Sequence, residues 1–426
     1  MAAPASLLLL PPPPFPATYT SLRRAYGHAF TQVLVELAAE ESPSGRATAL
    51  EIAYLCPHVQ GDATVPRGQL FAQTQELVES LYRLVCVIAA KEGIDGEGPA
   101  GVDVRVLLLA AVGEPATPDE IRVLNPPGLG GPIIDLHTLA ASARPWRRIY
   151  VPHGKPGDAV LRAFLNRIDR LLGKERPPWT IQRLEADLDG LQPAAAEAAV
   201  ADEAHGNEDE GARHVTVAVG GTFDHLHAGH KLLLTMALLL LEPATSAKAT
   251  ERRMVVGVTG DALLENKKYA EFLDDWPTRQ ASVASFVQAI ADFRPPSARG
   301  PAATETSIAA TALHGRAAST TLGPALRLEC VEISDPFGPT ITDESISALV
   351  VSAETRSGGD AVNGKRAELG WAGLAIYEVD VLFALEEGEG GQDARVERSF
   401  ESKISSTAIR RDCSERARPA RHVGST

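Results

Sequence analysis

Apolar residues in the first half of the chain alternate between continuous runs typical of strands and repeats typical of helices. Continuous runs of four to eight apolar residues indicate buried strands, and apolar residues three and four positions apart indicate amphipathic helices. We predict strands at Ala49–Cys56, Val102–Val112, Pro132–Leu139 and Trp146–Val151, and helices at Gln69–Ala90 and Asp158–Leu172. Strands that alternate with helices predict an α/β unit.

The same alternation returns in the second half of the chain. We predict strands at Val215–Val219, Met254–Thr259, Leu326–Ile333, Ala348–Ser352 and Leu374–Leu382, and helices at His230–Leu241, Arg279–Phe293 and Val362–Leu369. This order predicts parallel strands joined by right-handed helical crossovers, which is a Rossmann-like, doubly wound α/β sheet. Ligands bind such sheets at the carboxyl ends of the strands.

Polar segments divide the chain. Residues 184–213 are rich in Ala, Asp and Glu, lack apolar periodicity and predict a linker. The predicted organisation is an N-terminal α/β domain at 1–183, an acidic linker at 184–213, a second domain at 214–412 and a tail at 413–426. Two polar insertions, at 243–252 and 295–322, interrupt the second domain, and the later one is expected to be a long surface loop.

Composition narrows the class of protein. A chain of 426 residues is long enough for two domains that each bury a core. Its net charge of −14 argues against general nucleic-acid binding, which requires basic surfaces. The four cysteines are far apart in sequence, so we expect reduced intracellular thiols and neither a disulfide framework nor a protein metal site.

The N-terminus carries a weak resemblance to an organelle transit peptide. Arg23 and Arg24 precede the first acidic residue, Glu36. However, Leu7–Leu10 is too short for the apolar core of a signal peptide, and Pro11–Pro14 would break the amphipathic helix of a transit peptide. No apolar run reaches membrane-spanning length, so a cytoplasmic protein without a membrane partner is predicted.

The residues with the clearest chemical meaning lie between the first strand and the first helix of the second domain. Gly220 and Gly221 let the backbone pass close to a ligand, and Gly229 does so in the first helical turn. The free N–H groups of that turn favour an anion. His227 and His230 are three positions apart and share one side of the turn. This arrangement predicts a polyphosphate site; the alternative is a plain strand-to-helix turn with two hydrogen-bonded histidines.

Further candidate phosphate contacts and turns lie later in the second domain. Ser405–Thr407 form a strong helix N-cap, with Arg410 one turn later, and predict a second anion-binding helix end. The guanidinium of Arg366 could hold phosphate oxygens in a bidentate manner. The other segments are the lysine pair Lys267 and Lys268, the rigid turn at residues 335–340 and residues 350–355.

One stretch of the second domain resembles a different nucleotide-binding motif. Residues 359–366 nearly match a P-loop, but Arg366 stands where that loop requires a metal-binding Ser or Thr. A P-loop kinase is therefore excluded at this position.

Taken in order, these segments resemble eukaryotic phosphopantetheine adenylyltransferase, a nucleotidyltransferase with the HxGH motif. The resemblance rests on Gly220–Lys231, Asn266–Ala270, Asp335–Thr340, Val350–Thr355 and Ile404–Arg410, and it spans about residues 214–411. It is strongest to the fungal monofunctional form, because the chain ends just after the Ile-Ser-Ser-Thr segment. It gives no role to the N-terminal half.

The resemblance implies transfer of AMP from ATP to 4′-phosphopantetheine, which gives dephospho-CoA and pyrophosphate in coenzyme A biosynthesis. It implies Mg²⁺ carried by ATP, with little protein coordination. Thr222, His230 and one of Lys267 and Lys268 would act on the reacting phosphates, with Lys231 as a weaker candidate. The implied ATP- and phosphate-binding residues are Gly221, Phe223, His227, Asn363, Arg366, Ser405, Ser406, Thr407 and Arg410.

Two alternatives stay open. One is another nucleotidyltransferase of the same superfamily that acts on nicotinamide mononucleotide, FMN or a phospho-alcohol. The other is a scaffold that organises further enzymes of coenzyme A synthesis, with the N-terminal half as its docking surface.

Overall fold

The structure is a computed structural model that describes part of the chain. The described residues are 5–14, 16–40, 45–60, 65–98, 100–111, 131–173, 178–188, 211–243, 251–295, 307–310, 315–322, 325–380, 382 and 405–417. Much of the predicted linker and of the two insertions therefore lies outside the described residues. No described helix combines the length and the apolar character that crossing a bilayer requires.

The N-terminal half forms a six-stranded parallel sheet in the order β4-β3-β2-β1-β5-β6. Its strands are β1 (Ala5–Leu9), β2 (Thr48–Gln60), β3 (Val102–Ala111), β4 (Ile133–Ile134), β5 (Trp146–Pro152) and β6 (Thr180–Leu184). Its helices are α1 (Tyr19–Ala39), α2 (Phe71–Glu92), α3 (Leu136–Ala141) and α4 (Lys155–Leu171). Because helices cover both faces, the central strands are almost continuously apolar.

The first forty residues differ from the sequence prediction. Leu7–Leu10, a run too short for the core of a signal peptide, are fully buried in and next to the central strand β1. Arg23 and Arg24 lie in α1, which the apolar pattern did not predict. The side chain of Thr18 accepts a hydrogen bond from the backbone N–H of Ser21 and caps this helix.

The predicted strand at Pro132–Leu139 is wrong over most of its length. Only Ile133 and Ile134 are paired, and α3 starts two residues later. Asp135 explains the switch, because its carboxylate accepts from the N–H of Thr138, 2.6 Å away, and begins a helix.

The second half forms a seven-stranded sheet in the order β13-β12-β7-β8-β11-β10-β9. Its strands are β7 (Thr216–Gly221), β8 (Arg252–Thr259), β9 (Ser307–Ala310), β10 (Arg316–Thr321), β11 (Leu326–Ile333), β12 (Ala348–Ser352) and β13 (Ala375–Val379). Its helices are α5 (Ala228–Leu239), α6 (Trp276–Ala291), α7 (Arg356–Glu368) and α8 (Ser406–Ala417). The fold is thus a Rossmann-like α/β sheet preceded by a second α/β unit, as predicted.

Strand order places the ligand crevice of the second sheet. The chain runs from β7 through β8 to β11, then returns to the other side of β7 with β12. The carboxyl ends of β7 and β12 therefore flank the point at which the winding reverses. The insertion predicted as a surface loop instead supplies β9 and β10, which add two antiparallel strands at the far edge.

The two halves share one core. Every residue from Lys231 to Leu239 in α5 is buried, although its own sheet can cover only one side of a helix. The other side packs against α2 of the N-terminal half, and α6 packs against β3. The buried apolar side chains of α2 and α5 belong to one continuous cluster.

An ion pair crosses this interface. Asp103 in β3 accepts from the ammonium group of Lys231, which also donates to the carbonyl oxygen of Val104 at 3.1 Å. Burial by itself would raise the pKa of the Asp103 carboxyl, but Lys231 and the Arg105 guanidinium outweigh it and lower that pKa to about 2. Lys231, a weaker candidate for a substrate contact, is thus bound to the N-terminal half instead.

The ion pair of Asp103 and Lys231 predicts that the free energy of unfolding falls in acid. A carboxyl with a folded pKa near 2 and an unfolded pKa near 3.8 stabilises the fold above pH 4 and loses that contribution as the pH falls towards 2. Asp103→Asn should therefore lower the free energy of unfolding by about 2 kcal/mol at pH 7, and about half of this difference should be gone at pH 3. Urea unfolding at the two pH values measures it.

Asp95→Asn is the matched control, because Asp95 forms an exposed pair with Arg416 across the same interface. Its effect should stay within ~0.5 kcal/mol at both pH values. A difference for Asp103→Asn that does not change with pH would contradict the assigned role of this carboxylate.

Candidate active site

A cavity of about 570 Å³ opens at the carboxyl ends of β7, β8 and β12, where the strand order predicts a ligand. Most of the residues that the sequence singled out line it. These are Gly221, Thr222, His227, His230, Lys267, Ser405, Ser406, Thr407 and Arg410. The remaining four, Phe223, Lys268, Asn363 and Arg366, are not among its lining residues.

The turn between β7 and α5 has an unusual backbone. Phe223 and His225 have φ angles of 52° and 45°, in the left-handed region that non-glycine residues seldom adopt. A Cβ on Gly221 would come within 3.1 Å of the Phe223 ring, and one on Gly229 within 3.2 Å of the His227 ring. A side chain at either glycine would press on these rings, and the left-handed backbone of Phe223 and His225 is a form of strain that concentrates at functional sites.

The two histidines of the motif stack on each other. Their ring centroids are 3.9 Å apart and their planes differ by 20°. The buried ring of Phe223 supports the pair from below, with its centroid 5.3 Å from that of His230. Phe223, predicted to bind ATP, thus lies under the histidines and not on the cavity wall.

The surroundings of the His230 ring favour its neutral form. Burial lowers its pKa to about 3, and the nearby charge of His225 acts in the same direction, while a hydrogen bond with the His225 backbone opposes them. Its Nδ1 atom is buried and has no hydrogen-bond partner among the described residues. A buried ring nitrogen without a partner is costly, and an anion beside the ring would favour its protonated form.

Asp224 joins three segments of the site. Its fully buried carboxylate pairs with Arg410 of α8 and accepts from the backbone N–H of Asp274 at 3.0 Å. Its backbone carbonyl accepts from the hydroxyl of Ser406 at 2.7 Å. Asp224 thereby fixes the position of α8 relative to the histidine turn.

The amino end of α8 faces the cavity. Ser405 caps the helix, because its hydroxyl accepts from the N–H of Ala408 at 3.3 Å. The first N–H groups of a helix have no partner within it, so this end offers donors to an anion. Arg410 lines the cavity but also donates to the Lys268 carbonyl at 3.1 Å and to the Thr407 hydroxyl at 3.2 Å. Its guanidinium therefore stabilises this wall.

The structure separates the two lysines. Lys267 lines the cavity, whereas for Lys268 it is the backbone carbonyl that contributes, by accepting from Arg410. Both side chains are exposed. Lys267 is thus the better placed of the two to meet a phosphate.

Arg366 and Asn363 have a different role from the predicted nucleotide contact. Arg366 is 1% exposed and donates to the backbone carbonyls of Thr340, Ala372 and Ile346 at 2.7–3.2 Å. Asn363 exchanges two hydrogen bonds with the backbone of Leu374. Since backbone carbonyls engage these groups, the residues hold the loops around β12, including the turn that brings Thr340 to the cavity wall.

Arg279 was missed by the sequence interpretation. It is fully buried at the start of α6 and donates to the carbonyls of Thr222 and Thr259 at 2.7 and 2.8 Å. It thus ties the ends of β7 and β8 together under the cavity. A charged residue on the apolar face of a helix was the one signal that could have identified it.

Comparisons with known proteins give one family model and several relatives. Residues 1–183 match a family model described as a domain of unknown function, DUF8446. The chain is 33% identical over 213 residues to the uncharacterised protein C1F12.08 of Schizosaccharomyces pombe, covering 50% of this chain and 52% of that protein. It is 32% identical over 241 residues to phosphopantetheine adenylyltransferase of Saccharomyces cerevisiae, covering 57% and 62%.

An archaeal relative is matched over nearly its whole length. Phosphopantetheine adenylyltransferase of Methanopyrus kandleri is 30% identical over 206 residues, which cover 48% of this chain and 94% of that protein. The chain belongs to the phosphopantetheine adenylyltransferase family. It spans less than two thirds of the length of the two yeast relatives, so the fungal monofunctional type, implied by the sequence resemblance, stays a prediction.

Proposed function

We propose that the protein transfers AMP from ATP to 4′-phosphopantetheine, forming dephospho-CoA and pyrophosphate. The observation that carries the proposal is the arrangement around one cavity: the stacked histidine pair and Thr222 at the start of α5, and the amino end of α8. Relatives named phosphopantetheine adenylyltransferase support the choice of substrates.

The two helix ends supply the triphosphate site. The first turn of α5, with Gly229, and the first turn of α8, with Ser405–Thr407, both line the cavity. Each presents free N–H groups and the positive end of a helix dipole. We assign the β- and γ-phosphates to the α8 end and the α-phosphate to His227, His230 and Thr222.

The reaction needs no strong general base, because the phosphate of the acceptor is already ionised at neutral pH. An oxygen of that phosphate attacks the α-phosphorus of ATP, a new P–O–P bond forms, and the bond between the α-phosphorus and the bridging oxygen breaks. The leaving pyrophosphate keeps that oxygen and its electron pair. Catalysis then rests on alignment and on stabilising charge on the α-phosphate.

Magnesium enters this scheme with ATP. The carboxylates among the described lining residues are Glu354 and Asp380, and Asp380 accepts from Gln75 of α2 at 3.2 Å. This is a poor set for a protein-held Mg²⁺, which suits an ion coordinated mainly by phosphate oxygens and water.

A panel of acceptors tests the proposal. Purified protein would receive ATP and one of 4′-phosphopantetheine, nicotinamide mononucleotide, FMN or a phospho-alcohol, and pyrophosphate release would be followed. We expect kcat/KM to be at least ~100-fold higher for 4′-phosphopantetheine than for the others. Preference for another acceptor would move the protein to a different branch of the superfamily.

Lys267 should matter for the acceptor and Lys268 should not. Lys267→Met removes a cation from the cavity wall, and loss of a charged hydrogen bond should raise KM for 4′-phosphopantetheine about tenfold. Lys268→Met is the matched control, since its described contact uses the backbone and survives the change. Equal KM values in the two variants would refute the assignment.

A further inference from the structure

Two carboxylates of the N-terminal half hold the residues on either side of the histidine pair. Glu97, in the turn before β3, lies 2.9 Å from Nδ1 of His225. Asp103 pairs with Lys231. His225 precedes His227, and Lys231 directly follows His230. The N-terminal half therefore contacts the motif at both of its ends.

The contacts of His225 require a doubly protonated ring. Its Nε2 lies 2.8 Å from the carbonyl oxygen of Phe272, and its Nδ1 faces the Glu97 carboxylate. Both partners can only accept, so both ring nitrogens must donate. Burial disfavours the charged ring, but Glu97, the Phe272 carbonyl and Asp224 outweigh it and raise the His225 pKa to about 9.

The position of His225 controls its neighbours. His225 has a φ of 45°, so external contacts must maintain its backbone conformation. The preceding residue, Asp224, holds Arg410 and Ser406 of α8. The charge of His225 also lowers the pKa of the His230 ring. Movement at residue 225 would thus reach both anion-binding helix ends.

We propose that Glu97 is a positioning residue of the active site, which makes the N-terminal half a working part of that site and not only a neighbour. This inference rests on the proposed function for its kinetic consequences. Glu97 acts through His225 and is not among the residues that line the cavity.

Charged groups from four elements surround His225. They are Glu97 from the turn before β3, Asp224 from the histidine turn, Asp274 from the segment before α6, and Arg410 from α8, which pairs with Asp224. The charge of His225 also acts on His230 of α5, whose pKa it lowers. Of the three carboxylates, Glu97 belongs to the N-terminal half and makes a direct hydrogen bond to the ring.

Three variants of the full chain test the kinetic part. Glu97→Ala removes the contact and should lower kcat about tenfold, with KM for ATP changed less than about twofold. In Glu97→Gln, kcat should recover to within about threefold of the parent protein, because the amide can accept from the ring. Asp95→Asn, in the same turn, should match the parent protein, since its exposed pair with Arg416 does not touch the motif.

The pH profile separates positioning from general stability. In the parent protein kcat should fall as the pH rises through about 9, because a neutral His225 cannot donate to both partners. Glu97→Gln should lose this fall, since its amide can also donate to a neutral ring. A Glu97→Ala protein with kcat within twofold of Asp95→Asn, or an unchanged profile in Glu97→Gln, would overturn the proposal.

Hydrogen exchange tests the same contact without the reaction. Amides of residues 222–231 should exchange about tenfold faster in Glu97→Ala than in Asp95→Asn, without substrates present. If the parent protein transfers no AMP but exchange changes in this way, the proposed function fails and the positioning contact stands. Equal exchange rates in the two variants would remove the contact, whatever the activity.

Discussion

His230→Ala should lower kcat for AMP transfer by about 10²–10³-fold while KM for ATP changes less than about threefold. The ring is neutral in the free protein, with a pKa of about 3, and its buried Nδ1 has no partner among the described residues. Charge that builds on the α-phosphate would strengthen contact with this ring more than bound ATP does. An interaction realised mainly in the transition state affects kcat and not binding.

Steady-state kinetics with both substrates varied measures this effect. His153→Ala is the control, because His153 is an exposed histidine of the N-terminal half. A His230→Ala protein that turns over at more than a tenth of the parent rate would remove His230 from the chemistry. A large rise in KM for ATP at unchanged kcat would make it a simple binding residue.

A fragment of residues 211–417, which lacks the N-terminal half, should not fold. Every residue of α5 from Lys231 to Leu239 is buried, and α2 covers one side of the helix. Exposing a fully buried leucine costs about 1.5–3 kcal/mol, so a few such side chains exceed a typical domain stability of about 5–15 kcal/mol. We expect residues 211–417 alone to be insoluble or to lack a cooperative thermal transition.

Co-expression supplies the control for the deletion. Residues 1–188 provided as a separate chain should restore solubility, because the interface is apolar and contains the pair of Asp103 and Lys231. A soluble, fully active fragment 211–417 would instead show that the N-terminal half is dispensable. It would favour the alternative of a docking surface for other enzymes.

The local sequence pattern was sufficient to predict much of the second sheet and the histidine turn between β7 and α5. The apolar run before Gly220 and the apolar helix after Gly229 predicted β7 and α5, and the spacing of His227 and His230 predicted their common side. These features depend on neighbours within a few residues, which sequence periodicity reports directly.

Long-range partners explain what the sequence did not predict. Leu7–Leu10 has no local signal that distinguishes a central strand from a leader, because its pairing partners lie in β2 and β5. Arg366 was expected to bind phosphate, but carbonyls from 20 to 26 residues away occupy its guanidinium. Lys231 meets a carboxylate 128 residues away. Sequence shows that such cations exist but not what they face.

An isotope-transfer measurement tests the central claim most directly. The protein would receive Mg²⁺, ATP and 4′-phosphopantetheine carrying ¹⁸O in its non-bridging phosphate oxygens, and mass spectrometry would locate the label. We predict dephospho-CoA that retains all of the label, including one atom in the new P–O–P bridge, together with unlabelled pyrophosphate. Labelled pyrophosphate or the absence of dephospho-CoA would contradict attack by the acceptor phosphate on the α-phosphorus.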